Sequence, residues 1–398
     1  MSLRTSMFVE SFGIDSARGV RMREWRMRAW LALAGCVVAL AVFSPGSTGA
    51  TPLSEPLTPP VAERHTGVQV ALDAMRLGND AVGASVTGSD STGIWHLSSG
   101  SGRAGTDTPI RSTDQIKVAS NTKTFVASVV LQLVGERRID LDAPVGRYLP
   151  GVVSGNGHDG DKITVRQLLQ HTSGLPDYLT PEIIADPLAY TRVFNPRDIV
   201  AMGLLKPPAF KPGAGWLYSN TNYVLAGMII EKVTGRYVGD EILDRIVRPL
   251  ELSRTTYPKP GQRTIGGPHV RGYMDDRDTT ETEPSLIGAA GEMVSTGVDM
   301  TKFAKALASG RVVPPRLLAE MRRTVDANGV GYGLGVFKMP LTCGGEAWGH
   351  GGAWPAYTTL TMATDDGREV FVSVNRHNLR IQLNETADAA LCSGRSPR

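Results

Sequence analysis

Residues 120–134 read SNTKTFVASVVLQLV, from Ser120 to Val134. Phe125, Val126, Val129, Val130, Leu131, Leu133 and Val134 leave this stretch no polar face, which predicts a central, buried helix over 122–134. Gly135 then closes it ahead of Glu136-Arg137-Arg138. Ser120 falls at the helix start, where unpaired N–H groups and the helix dipole favour negative charge. Lys123 stands three residues on and shares a helix face with Ser120. Desolvation beside a buried helix lowers an amine's pKa, and a neutral amine can take a serine proton. S-x-x-K alone leaves a second reading open, in which Ser120 is an N-cap and Lys123 a solvated first-turn residue.

Two further strings bear on that choice. Tyr218-Ser219-Asn220 leads into an apolar stretch from Tyr223 that reads as a helix closed by Gly235. A tyrosine beside an ammonium can be lowered from its usual pKa of about 10, or can relay a proton. Asn220 offers both a donor and an acceptor, enough to hold a substrate amide. Read alone, the tripeptide is also an ordinary polar turn. His350-Gly351-Gly352 precedes a β-branched run at Tyr357–Ala363, a turn at Asp365-Asp366-Gly367, and a second strand at Glu369–Asn375. The two glycines are expected to let a substrate backbone approach closely, with His350 donating toward substrate or leaving group. A surface histidine on a glycine loop is the alternative.

S-x-x-K, Y-x-N and H-x-G in this order resemble the serine β-lactamase and penicillin-binding protein superfamily. Within it they resemble the branch of class C β-lactamases and D-alanyl-D-alanine carboxypeptidases. His171-Thr172-Ser173-Gly174-Leu175, the segment Ala289 to Thr296, and Tyr332-Gly333-Leu334-Gly335 carry the resemblance further, over roughly Val61 to Cys392. It implies an α+β fold, an antiparallel sheet flanked by helices plus a mainly helical insert. It implies that Ser120 attacks a carbonyl while Lys123 and Tyr218 move protons. Asn220 would hold the acyl side chain's amide, and His350 would stabilise the tyrosine–leaving-group network. Gly351, Gly352 and Ala353 would line the substrate strand, with the Ser120 and Ala353 N–H groups as oxyanion hole. No metal or cofactor is called for. The activity implied is that of a penicillin-binding D-alanyl-D-alanine carboxypeptidase. Its substrates would be peptidoglycan-type peptides or β-lactams, and the protein a monomer without a partner protein. A class C-like β-lactamase and an esterase or D-amino-acid amidase share the motifs, and a non-catalytic cell-wall-binding protein is the rival from another class. The sequence departs from the carboxypeptidase pattern twice. Gly351 stands where those enzymes carry a hydroxyl residue, and Gly335-Val336-Phe337-Lys338 lacks their arginine, leaving Lys338 as a point charge for a carboxylate.

The net charge of +3 with 20% charged residues shows no basic stripe interleaved with aromatics, so nucleic-acid binding gains no support. No metal-ligand spacing, internal repeat or G-x-S-x-G elbow is present. Residues 1–50 read as a signal peptide. Arg21, Arg23, Arg26 and Arg28 precede the apolar run Ala29–Phe43, and Thr48-Gly49-Ala50 fits a cleavage site. Secretion is expected, and a lipoprotein box ending at Cys36 is the second reading. Residues 51–63 read as a tether. Residues 64–395 read as the catalytic domain, with the helical insert at about 135–285. Within it, Gly67–Leu77 is an expected amphipathic helix, Ala84–Thr87 and Ile94–Ser98 paired strands, and Thr164-Val165-Arg166-Gln167 a capping box. Two cysteines remain after export, Cys343 and Cys392, either as a disulfide or as buried thiols.

Overall fold

The computed structural model describes residues 65–376 and 383–395. The signal-peptide and tether readings, residues 1–63, lie outside the described residues. Helix α1 (Thr66–Gly78) buries Val68, Leu72 and Met75, one apolar stripe at helical spacing. Strands β1 (Gly83–Asp90) and β2 (Gly93–Gly100) form an antiparallel hairpin. Helix α2 (Thr122–Gly135) is the buried helix of the opening sequence, and Phe125 to Leu131 are all buried.

Between α2 and the closing strands the chain is mainly helical. Helix α3 (Val165–Gln170) begins with the expected capping box, in which Thr164 and Gln167 bond each other's backbone N–H. Helix α4 (Asn220–Thr234) ends where Gly235 takes φ 73°, the left-handed conformation glycine adopts freely. Helix α4 packs against both α2 and α3, which ties the helical part to the nucleophile helix. Helix α5 (Gly297–Ala308) then returns the chain toward the sheet.

The main sheet takes its other strands from β3 (Val325–Ala327), β4 (Val330–Tyr332), β5 (Phe337–Pro340), β6 (Glu346–Trp354), β7 (Tyr357–Thr364) and β8 (Glu369–Val374). These eight strands make one antiparallel sheet in the order β2-β1-β8-β7-β6-β5-β4-β3, and short strand pairs lie outside it. The first hairpin joins through the last strand, with Ala84 opposite Val374. Every residue of β7 and β8 is buried, because α5 packs on these strands and α6 (Asn384–Leu391) packs on them too. The sheet and its helices bear out the α+β expectation. Cys343, in the turn between β5 and β6, is disulfide-bonded to Cys392 just after α6, with Cα atoms 5.6 Å apart.

One detail of the sheet builds a cleft. Strand β5 pairs with β6 only over Glu346–Gly349, whereas β7 pairs with it from Ala347 to Trp354. From His350 onward, β6 therefore has no β5 partner, and the short 3₁₀ turn Ala119–Asn121 packs against it instead. His350-Gly351-Gly352 lies inside β6 rather than beside a strand.

Candidate active site

Ser120 sits in that 3₁₀ turn, half-buried, between the open part of β6 and the start of α2. The turn is sharp, and Ala119 is held at φ 49°, a conformation that costs a non-glycine residue free energy. Close packing against β6 holds it there. A Cβ on Gly352 would stand 2.3 Å from Val118 O and 2.9 Å from the Ala119 Cβ. Gly352 is thus required for contact between the strand and the nucleophile turn. The sequence reading gave it to substrate approach, and the structure assigns its missing side chain to the protein itself.

Lys123 is fully buried. Its Nζ lies 3.0 Å from Ser120 Oγ, 2.8 Å from Asn220 Oδ1 and 2.7 Å from Ala290 O. Burial holds its pKa well below the usual lysine range, with Asp177 opposing that shift. The two carbonyl oxygens can only accept, so in the deprotonated form that burial favours they take both hydrogens of the amine. The remaining lone pair then faces Ser120.

Tyr218 places its ring 4.8 Å from Lys123 Nζ. The expectation that an adjacent ammonium lowers this phenol does not hold. Burial pushes Tyr218 well above pKa 10, opposed by hydrogen bonding with Ser120. Burial outweighs that hydrogen bond. Tyr218 is a protonated phenol at the nucleophile.

Asn220 is the first residue of α4 rather than part of the preceding loop. Its Oδ1 is held by Lys123, and its Nδ2 donates to Asp177 Oδ2 at 2.9 Å. The carbonyl offered to substrate from sequence is engaged by the protein. Its observed task is to hold Lys123.

His350 is buried, and burial lowers its pKa to about 3, with Lys123 adding to the shift. Nδ1 meets the Gly351 carbonyl, which only accepts, so the proton is assigned to Nδ1. Nε2 then accepts from the Tyr332 hydroxyl at 2.8 Å. Both ring nitrogens are occupied within the protein, so His350 is a neutral brace for Tyr332 rather than a donor to a leaving group. Gly351 and Ala353 lie on the open part of β6 beside the turn that carries Ser120. Lys338 pairs with Glu346 at 3.3 Å.

Three functional neighbours escaped the sequence reading. His171 holds φ 62°, and its Nδ1 accepts from the Ser219 N–H at 3.2 Å and from Asn222 Nδ2 at 3.1 Å. Its ring lies 4.2 Å from that of Tyr218, so it fixes the turn that carries the phenol. Tyr332 braces His350. Both belong to strings noted above only as supporting matches. Asp177, by contrast, is a lone acid in a loop and carries no motif. Among the described residues no group of three or more His, Cys, Asp or Glu is placed to hold a metal ion. The arrangement can transfer an acyl group, since a nucleophile, an amine of lowered pKa and a protonated phenol meet at one point.

The family described as Beta-lactamase matches residues 71–390. Penicillin-binding protein 4* of Bacillus subtilis is 28% identical over 298 residues, 70% of this chain and 64% of that protein. Protein flp of Staphylococcus aureus is 32% identical over 153 residues, 38% of this chain and 30% of that protein. The chain thus spans less than two thirds of both relatives. Among solved structures, a D-stereospecific amidohydrolase from Streptomyces sp. superposes with a TM-score of 0.75 at 40% identity, covering 82% of this chain and 98% of that one. A D-amino acid amidase from Ochrobactrum anthropi SV3, complexed with D-phenylalanine, gives a TM-score of 0.72 at 28% identity, covering 83% and 98%.

Proposed function

The chain belongs to the beta-lactamase family, whose members are serine hydrolases, and from that premise we propose that it hydrolyses amides or esters of D-amino acids through an acyl-enzyme on Ser120. The observation that carries the proposal is the Lys123 amine, desolvated and fixed by two acceptors with its lone pair toward Ser120. Ser120 Oγ forms a bond to the substrate carbonyl carbon as its proton passes to Lys123. The C–N or C–O bond then breaks, and the proton leaves with the departing amine or alcohol through Tyr218. The N–H groups of Ser120 and Ala353 stabilise the oxyanion. Water attacks the acyl-enzyme in the second half and frees the acid.

Two observations favour a neutral leaving group over a C-terminal D-alanine. Lys338, the residue available for a terminal carboxylate, is paired with Glu346, and Gly351 has no hydroxyl to offer. The Streptomyces amidohydrolase, at 40% identity, supports the same choice. The similarity to penicillin-binding protein 4* supports a second reading, D-alanyl-D-alanine carboxypeptidase. The test is product release from D- and L-phenylalanine amide and from a peptide ending in D-Ala-D-Ala, with Ser120→Ala as control. Turnover of the D-amide alone is expected. Turnover of the peptide alone would move the assignment to the carboxypeptidase.

Export behind residues 1–50 belongs to the same proposal. The Cys343–Cys392 bond supports it, because such bonds persist in oxidising compartments. N-terminal sequencing of protein recovered from the medium checks it.

A further inference from the structure

We propose that Glu292 is a positioning residue for the catalytic base: its buried side chain pins residues 290–293, on which the amine of Lys123 rests. The proposal rests on the acyl-hydrolase reading of Ser120. Glu292 acts through Lys123 and not on the substrate.

The segment itself is bonded to the nucleophile turn. Ala290 O accepts from Lys123 Nζ at 2.7 Å. The Met293 N–H donates to Thr122 Oγ1 at 3.2 Å, and the Met293 carbonyl accepts from the Val118 N–H at 3.0 Å. Between them Gly291 passes so close that a Cβ there would stand 3.4 Å from the Ala119 carbonyl carbon. Residues 290–293 thus touch the chain on both sides of Ser120. A shift of this segment carries the Ala290 acceptor away from Lys123.

Glu292 is the charged residue type in that segment, and it is buried. Its Oε1 accepts from the Tyr237 hydroxyl at 3.4 Å. Tyr257 stands edge-on to Tyr237, with ring centroids 5.7 Å apart. Among the described residues Glu292 forms no salt bridge. Lys117 lines the same small cavity, but its Nζ donates to the Thr282 hydroxyl at 2.5 Å and to the Thr282 carbonyl at 3.3 Å.

These surroundings suit the protonated acid. Burial pushes the Glu292 carboxyl well above the usual carboxylate range, Glu283 and Glu231 add to the rise, and the Tyr257 and Tyr237 hydroxyls oppose it. The titratable groups that face it are therefore Glu231 from α4, Tyr237, Tyr257, Glu283 and, across the cavity, Lys117. A protonated acid both donates and accepts, so it can bond the phenols on either account. An ionised Glu292 would be a buried charge beside two further acids with no cation bonded to it, a costly state. Movement toward water relieves that cost and takes residues 290–293 along.

The experiment measures burst acylation by p-nitrophenyl acetate across pH in the full-length mature protein, together with crystal structures of two variants. Glu292→Leu removes donor and acceptor and is expected to acylate about 100-fold more slowly, the scale of misplaced reacting groups, with little change in KM. Glu292→Gln keeps a donor and an acceptor and cannot ionise, so it should restore the rate to within about threefold of wild type at pH 7. On the alkaline side wild type should lose about tenfold in rate per pH unit once Glu292 ionises, and Glu292→Gln should hold its rate through that range. The Lys123–Ala290 hydrogen bond should be broken in Glu292→Leu crystals and kept in Glu292→Gln crystals. Superimposable pH profiles for wild type and Glu292→Gln, or wild-type acylation by Glu292→Leu, would overturn the proposal. The first comparison needs no Glu292→Leu protein, so misfolding of that variant cannot mask it. If wild type gives no burst that depends on Ser120, the acyl-hydrolase reading has failed, and the crystals decide separately: an intact Lys123–Ala290 bond in Glu292→Leu then sinks the positioning role.

Discussion

Asn220 Oδ1 lies 2.8 Å from Lys123 Nζ, and residues 97 apart in the chain thereby position the base. Asn220 and the Ala290 carbonyl occupy the amine's hydrogens and aim its lone pair at Ser120. The base works only if it can lose its charge. Lys123→Arg keeps a cation and a donor but cannot deprotonate. We expect this variant to slow acylation about 1,000-fold, the scale of a lost general base. Burst kinetics with p-nitrophenyl acetate checks it, and a burst rate near wild type would show that charge alone suffices.

Helix α2 was legible because it has no polar face, and a helix buried all round leaves its first residues at the centre of the fold. The capping box at Thr164 and the strands around Asp365-Asp366-Gly367 were legible as local chemistry. What could not be read was the use of each side chain. Asn220 presents the same amide to a substrate or to Lys123, and only the approach of α4 to α2 decides. His350 loses its donor to the Gly351 carbonyl through a strand geometry that no motif encodes. Asp177 acquires meaning from Asn220, 43 residues away.

Gly352 joins the strand to the nucleophile. In Gly352→Ala the new methyl group would meet Val118 O at 2.3 Å and Thr359 Oγ1 at 2.7 Å. Strand and turn must separate, which moves Ser120 relative to the Ala353 N–H. The expected cost is about 1–3 kcal/mol of stability, as for other overpacked sites. Turnover should drop about 100-fold through misplacement of the reacting atoms. Urea unfolding and steady-state kinetics measure the two separately. Unchanged turnover would remove the strand–turn contact from the mechanism.

The disulfide acts on stability alone. Cys343 lies in the β5–β6 turn, and Ala353 is eight residues along β6 from Gly345, roughly 26 Å at strand rise. The bond links residues separated by 49 positions. Loop-closure entropy for that length gives up to about 4 kcal/mol. Cys343→Ser/Cys392→Ser should therefore unfold at lower urea while keeping its kcat/KM at 25 °C. A fall in kcat/KM without unfolding would tie the bond to the site.

Asp177 makes stability depend on pH, and the sign follows from its raised pKa. Burial pushes the folded carboxyl up to about 6, from an ordinary value of 3.8. Between these values the folded state holds the proton more tightly than the unfolded state does. Its contribution is therefore complete below the unfolded pKa and is lost as pH rises through about 6. The groups around it are Lys123, whose pKa burial lowers, the phenols of Tyr178 and Tyr218, both held protonated, and the Asn220 amide. Burial is the largest cause of the rise, and Lys123 with the hydrogen bonds from Leu179 and Asn220 opposes it. Wild-type protein should lose up to about 3 kcal/mol from this group between pH 4 and pH 7, the two-unit shift expressed as free energy. Asp177→Asn has no such proton to lose, so its pH dependence should be shallower by that amount in urea titrations. Equal pH dependence in the two proteins would remove Asp177 from the titration.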